Sequence, residues 1–259
     1  MERVELSILL PVRNEGINLR IMLKMLRAVV EVTHEVVIVH DDSDDDSVAL
    51  VGSMQAEYPN VRCVHNTGGR GVVHALKAGI EAAHGELILI FAADEVGPVL
   101  AIEDMLALAR EGCEFVSCTR YAHGGRRLGG SLIGGMLSRL ANRLFHTLAH
   151  SALTDATTGI KLFPRELYPR LQLTARPVGW AIAFEMSMKA QLLGLKLGEV
   201  PIVSIDRLYG GQSTFKLGPW CLEYLRWFFW GIRELRGMKG VRPVEVRIPL
   251  STAPTGPGR

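Results

Sequence analysis

Apolar and polar positions alternate along this chain in blocks that read strand, helix, strand. Leu6-Ser7-Ile8-Leu9-Leu10-Pro11-Val12 is an almost unbroken apolar run, the pattern of a strand covered on both faces. Arg13-Asn14-Glu15-Gly16 breaks it, and residues 17–30 then set Ile21, Met22, Met25 and Leu26 on one face of a helix. Further strands are predicted at 35–39, 61–64, 87–91 and 115–119, with helices over about 47–57, 71–83 and 99–110. This alternation predicts an α/β fold, a mostly parallel sheet with helices on both faces. After residue 120 the rhythm changes. Six glycines between 124 and 135 surround Arg126-Arg127 and read as a mobile loop leading into a helix over about 136–149. Thr154 to Gly159 is a second polar loop before a strand at 160–163. A helix over about 181–193 and a strand near 197–203 close the fold, and the proline-containing tail, 239–259, is expected to be disordered.

Composition narrows the classes. A chain of 259 residues with 48% hydrophobic content suits one large domain. A net charge of +2 gives no footing for nucleic acid. Cys63, Cys113, Cys118 and Cys221 have no metal-ligand spacing, and Cys113 and Cys118 bracket a strand as small buried residues. No signal peptide is expected before the first strand, and no stretch of 18 uncharged apolar residues predicts a spanning helix. The helix from Pro219 to Leu235 is different in kind: three of the four Trp fall within eleven residues, with Arg226, Arg233, Arg236 and Lys239 flanking. It reads either as a helix packed on the sheet or at a dimer interface, or as a helix lying in a membrane interface.

Two of the predicted strands run into carboxylates. Strand 35–39 leads to His40 and then to five Asp in the six residues 41–46; strand 87–91 leads to Ala92-Ala93-Asp94-Glu95. In an open α/β sheet, ligands sit outside the carboxyl ends of the strands. Asp41 and Asp94, which follow buried strands directly, are therefore candidates to meet a base, a ribose, or a cation on a diphosphate. Most of the remaining Asp run reads as the solvated start of a helix. Gly68-Gly69-Arg70-Gly71 lacks dinucleotide-loop spacing, and no P-loop, nucleophile elbow or H-E-x-x-H is present.

Taken in order, these segments resemble the inverting family 2 glycosyltransferases, and among them the dolichyl-phosphate (polyprenyl-phosphate) mannose synthases. Pro11-Val12-Arg13-Asn14-Glu15 resembles the family's opening motif, and His40 to Asp45 its D-D-x-S-x-D nucleoside loop. Arg70-Gly71 to Gly85 resembles its glycine-bearing helix, and Ala92-Ala93-Asp94 stands at its D-x-D metal position. Thr119-Arg120-Tyr121 with Gly124-Gly125, Asp155 to Phe163, and Asp206-Arg207 with Gly211-Gln212-Ser213 resemble its later motifs.

The resemblance implies a GT-A-like domain over 1–238. Residues 1–120 would bind the donor, 121–218 the acceptor, and 219–238 would form the amphipathic aromatic helix. It implies transfer from a nucleotide-sugar, mannose favoured, to a polyprenyl or dolichyl phosphate, by a peripheral protein on the cytoplasmic membrane face. Donor binding falls to Pro11, Arg13, Glu15, Asp41, Arg70, Ala93 and Asp94. Acceptor binding falls to Arg120, Arg139, Asp155 and Ser213, and catalysis to Asp94, Arg120 and Arg207. Arginines at these places suit bidentate phosphate recognition. Mg²⁺ or Mn²⁺ is implied at Asp94 with Glu95. His40 and Ala92 replace family Asp residues, so the metal either leans on substrate diphosphate and water or contributes little. Glu185 matches a family Glu and reads equally as a buried partner of an Arg. The rivals are a glycosyltransferase with a soluble acceptor and a nucleotide- or lipid-binding pseudoenzyme.

Overall fold

The apolar runs assemble into one central sheet. The computed structural model describes residues 3–129, 132–205, 217–238 and 245–249. Its strands are β1 (Leu6–Pro11), β2 (His34–His40), β3 (Val61–His65), β4 (Leu87–Ile90), β5 (Phe115–Thr119), β6 (Arg126–Leu128), β7 (Lys161–Pro164), β8 (Leu197–Pro201), β9 (Val203–Ile205) and β10 (Val246–Arg247). The helices are α1 (Gly16–Val29), α2 (Asp46–Met54), α3 (Val72–Ala82), α4 (Ala101–Arg110), α5 (Leu132–Ala149), α6 (Leu167–Arg170), α7 (Ala181–Leu192) and α8 (Leu217–Gly237). Eight strands pair in the order β10-β8-β5-β7-β4-β1-β2-β3. All pairs are parallel except those of β7, which runs antiparallel between β4 and β5. The carboxyl ends of β1, β2, β4 and β5 therefore share one edge.

Period-two alternation deals each strand's side chains to two cores. Leu6, Ile8, Leu10, Val36 and Ile38 enter one, under α1, α2 and α4. Leu9, Val37 and Val39 enter the other, under α3, α5, α7 and α8. α7 is buried nearly all round, which explains the absence of an amphipathic stripe in its sequence. α8 reaches it because of Gly231: a Cβ there would overlap Met188 Sδ and the Phe145 ring.

The structure corrects three expectations. The tail is not disordered throughout, because Val246–Arg247 pairs parallel with β8 and Glu245 O accepts from Leu197 N at 3.0 Å; an open sheet edge offers bonds that flanking prolines do not block. The glycine-rich stretch is not a free loop: β6 pairs with β9, and a Cβ at Gly125 would overlap Thr119 O. The strand expected at 197–203 is broken at Ile202, and its second piece forms this small sheet. Cys113 and Cys118 are buried free thiols, which burial pushes up. Among the described residues no helix is long and apolar enough to cross a membrane.

At the edge opposite the carboxylates, Glu35 ties β1, β2, β3 and the entry to β4 together. It accepts from Ser7 Oγ at 2.5 Å, His84 N at 2.6 Å and Arg62 Nε at 2.9 Å. Burial pushes its carboxyl up, but these donors outweigh it and hold the group at about 2, below the ordinary 4.5. A depressed acid contributes stability that is full above the unfolded value and is lost as pH falls through the folded one. Glu35→Gln should therefore cost about 2 kcal/mol in denaturant unfolding at neutral pH. It should also flatten the loss of stability between pH 4.5 and 2. An unchanged acid limb in the variant would remove Glu35 as the cause.

Candidate functional site

Five turns meet at the carboxyl edge. After β1, Asn14 adopts a left-handed φ of 55° and is locked there by the Asp run. Its amide donates to Asp45 Oδ2 at 3.0 Å, and Gly16 N donates to Asp46 Oδ1 at 3.0 Å. Asp45 also caps α2 through Ser47 N at 2.9 Å. Asp45 and Asp46 thus start a helix, as expected, and also fix the β1–α1 turn. Glu15 turns its carboxylate to Asn18 of its own helix at 2.7 Å.

Asp41 reaches the edge from β2, and both its oxygens are engaged: Asn66 Nδ2 donates at 2.7 Å and Gly71 N at 3.0 Å. Asn66 itself takes Gly68 N and donates to Gly69 O. The 68–71 segment, without dinucleotide-loop spacing, is therefore a turn clamped by Asn66 and Asp41, and it holds Arg70 3.8 Å from Asp42. A cleft of about 280 Å³ opens here, lined by Arg13, Arg70 and the carboxylates of Asp41, Asp42, Asp44 and Asp45. His40, standing where the family has Asp, is buried; its Nδ1 lies 2.8 Å from Asp42 O and its ring stacks on His65 at 5.0 Å. It supports the loop rather than lining the cleft. Pro11 is half-buried at the end of β1.

From β4, buried Ala93 is followed by half-buried Asp94 and Glu95. Glu95 accepts from Ser204 Oγ of β9 at 2.7 Å, so part of its capacity goes to the small sheet. Among the described residues no three His, Cys, Asp or Glu converge as a metal-holding group. A single carboxylate such as Asp94 is compatible in kind with Mg²⁺, which keeps several waters and is commonly held by one or two carboxylates plus substrate phosphates.

After β5, Arg120 and Asp155, which the sequence offers as contacts for phosphate and acceptor, are bonded to each other. Arg120 Nε and Nη2 meet Asp155 Oδ2 and Oδ1 at 2.7 and 3.0 Å, and Asp155 is fully buried. Burial opposes both charges, but each holds its partner ionised: Arg120 is raised and Asp155 lowered. Asp155 is thus unavailable to substrate, and Arg120 can offer only its remaining N–H groups. Nη2 also donates to Thr157 at 3.0 Å, which Asn142 Nδ2 meets at 2.9 Å. Tyr121 OH donates to Ser138 at 2.8 Å, so α5 joins this cluster. Arg139 lies next to Ser138 on the exposed side of α5. Arg207 and Ser213 lie outside the described residues.

Reading the sequence missed Asn66, Ser138, Asn142 and Lys161. Asn66 could have been found, since it follows β3 at the same edge. Lys161 could not: its Nζ is buried between Ser117 Oγ at 2.7 Å and Ser187 Oγ at 2.8 Å, and burial lowers it to about 8. Glu185 is buried and accepts Thr174 N and Ala175 N, both at 2.7 Å, with Lys189 at 2.7 Å. Its cationic partner is thus a lysine.

Residues 7–171 match the family model described as glycosyl transferase family 2. The glycosyltransferase AglD of Haloferax volcanii is 28% identical, over 77% of this chain and 33% of its own length. Dolichol-phosphate mannosyltransferase of Pyrococcus furiosus is 25% identical, over 86% and 62%. Dolichyl-phosphate beta-glucosyltransferase of Dictyostelium discoideum is 29% identical, over 78% and 67%. The chain thus spans a third of the first relative and less than two thirds of the second. Glucosyl-3-phosphoglycerate synthase from Mycobacterium tuberculosis, solved with Mn²⁺, UDP and glucosyl-3-phosphoglycerate, superposes with a TM-score of 0.66 at 18% identity, over 89% of this chain and 80% of that one. The fold is GT-A-like, as the sequence predicts.

Removing one partner of a buried ion pair leaves a stranded charge, at a cost of roughly 3–5 kcal/mol. Asp155→Asn should lose stability on that scale in chemical unfolding. Arg120→Lys, which keeps the charge but not the fork, should lose less. Equal small losses for the two would show that the bidentate geometry is unimportant.

Proposed function

This chain belongs to glycosyl transferase family 2, and from that premise we propose that it moves a sugar, mannose favoured, from a nucleotide-sugar to a polyprenyl or dolichyl phosphate at the cytoplasmic face of a membrane. The observation that carries the lipid acceptor is the double face of α5. Inward, its Ser138 and Asn142 bond to the Arg120 cluster. Outward, Met136, Leu137, Leu140, Leu144 and Leu148 stand exposed beside Arg139 and Arg143, and the helix contains no acidic residue. α8 packs beside it, Phe145 against Phe228 at 5.4 Å. Trp227 of α8 is buried and Trp230 partly so, while Leu222, Leu225 and Phe229 are exposed with Arg226, Arg233 and Arg236. Of its two acids, Glu223 is buried against Arg226 and Glu234 pairs with Arg233. Such an apolar and basic surface suits an anionic lipid interface. The names of the dolichol-phosphate relatives support the same acceptor class.

In this reading the cleft between Arg13 and Arg70 takes the donor. The Asp41–Asn66 clamp fixes the turn, so the backbone that carries the Arg70 guanidinium toward the diphosphate is set in advance. An oxygen of the acceptor phosphate forms the new bond to the anomeric carbon as the bond to diphosphate breaks on the opposite face, inverting the centre. The acceptor is already ionised at neutral pH, so no strong general base is needed. Arg120, held by Asp155, and Arg139 lie on the acceptor side. Asp94 would hold a divalent cation, which when bound neutralises charge on the leaving diphosphate.

The decisive experiment is a panel of GDP-, UDP- and dTDP-sugars offered with polyprenyl phosphate in liposomes, following lipid-linked sugar. One donor should give product, and Asp94→Asn should lower its turnover about 100-fold without unfolding. Product only with soluble phosphorylated acceptors would establish the rival reading.

Each exposed apolar residue that inserts contributes about 1.5–3 kcal/mol. Leu140→Asp and Phe229→Asp should therefore each reduce co-sedimentation with anionic liposomes about tenfold or more while nucleotide affinity is unchanged. If the unmodified protein stays off liposomes and scatters light as a dimer that these changes split, the face is a protein interface.

A further inference from the structure

Behind the turn that carries Arg120 runs a line of buried hydroxyls ending at a carboxylate. Glu199, in the middle of β8, is fully buried. Its Oε1 accepts from Thr154 N at 2.8 Å and Asp155 N at 3.2 Å, and its Oε2 accepts the Thr154 hydroxyl at 2.9 Å. Thr154 Oγ1 lies 2.8 Å from Thr119 Oγ1. Thr119 Oγ1 in turn accepts from Tyr121 N at 3.2 Å and Ala122 N at 3.3 Å. His123, in a left-handed φ of 54°, brings Nε2 to 3.7 Å from Glu199 Oε2. Neither the donor cleft nor the transfer step uses any of these side chains.

We propose that Glu199 is a proton-dependent positioning residue that sets the Arg120 turn through the Thr154 and Thr119 hydroxyls. The inference rests on reading the surroundings of Arg120 as the acceptor side. An ionised carboxylate only accepts, so the Thr154 hydroxyl must donate to it. Thr154 oxygen then accepts from Thr119, and both lone pairs of Thr119 stay with the Tyr121 and Ala122 amides. A neutral Glu199 reverses the line. Oε1 remains with the two amides, so the proton sits on Oε2 and is donated to Thr154. The Thr154 hydrogen turns to Thr119, whose oxygen then faces three donors with two lone pairs, and whose own hydrogen loses its acceptor. The bonds that shape residues 120–122 weaken in that state. Around the carboxylate, Asp155 disfavours the anion, Lys161 favours it, and the His123 ring faces it at 3.7 Å. Arg120 is engaged by Asp155, and the Cys118 thiol stays neutral. Burial holds Glu199 up at about 7, so both states are populated near neutrality.

Glu199→Gln tests this because glutamine keeps the Oε1 acceptor and supplies a donor toward Thr154, copying the neutral state at every pH. For the unmodified protein, acceptor kcat/KM against pH should bend once near 7. In the variant the bend should be gone, with rates within about twofold from roughly pH 6 to 8 at the unmodified protein's low-pH level. Infrared difference spectra over the same range should show a protonated carboxyl band in the unmodified protein that Glu199→Gln lacks, while nucleotide affinity stays equal. A bend that survives in the glutamine variant, a missing carboxyl band, or equal loss of donor and acceptor use at all pH would overturn the proposal. The profile is taken with whichever acceptor class supports turnover, and the infrared arm needs none. A failure of lipid transfer therefore removes the lipid as acceptor without touching Glu199.

Discussion

A sheet covered on both faces leaves its polar groups nowhere to go but the ends of the strands. Helices α1, α2 and α4 close one face, and α3, α5, α7 and α8 close the other. Every charge that must meet water or ligand therefore leaves at an edge, and a charge that stays inside must bring its partners with it. The two edges use this differently. One is knotted by Glu35, whose bonds are all internal. The other carries the cleft, where Arg13, Arg70, Asp42 and Asp44 remain open to solvent.

Inside the second edge lies a layer of groups that neither bury quietly nor reach solvent. Arg120 and Asp155, Lys161 between two serines, and Glu199 under Thr154 form it. In an apolar surrounding, hydrogen bonds strengthen one another and unpaired groups are costly. Such a layer holds one arrangement of the turns above it. It also places ionisable groups where small changes of protonation are felt by neighbouring backbone.

The strands and most helices were legible because two-sided burial writes itself as unbroken apolar runs, as in Leu6 to Val12 and Leu87 to Phe91. The positions of Asp41 and Asp94 followed from where those runs stop. Partner choice was not legible. Arg120 and Asp155 are 35 residues apart, and nothing local says that a polar loop will deliver its Asp to that Arg instead of to a ligand. Lys161 and Glu199 look like ordinary polar positions in strands until the neighbouring strands enclose them. The small sheet of β6 and β9 was hidden by glycines that read as freedom, although Gly125 is required by the closeness of Thr119 O. The antiparallel course of β7 left no mark in its own residues.

That reversed strand acts as a spacer. β7 stands between β4, which delivers Asp94, and β5, which delivers Arg120. Adjacent strands lie about 4.8 Å apart, so one intervening strand sets the two exits roughly 9–10 Å from each other. β7 pairs with β4 over all four of its residues and with β5 at Lys161 and Leu162, so the sheet itself fixes the gap between the two turns.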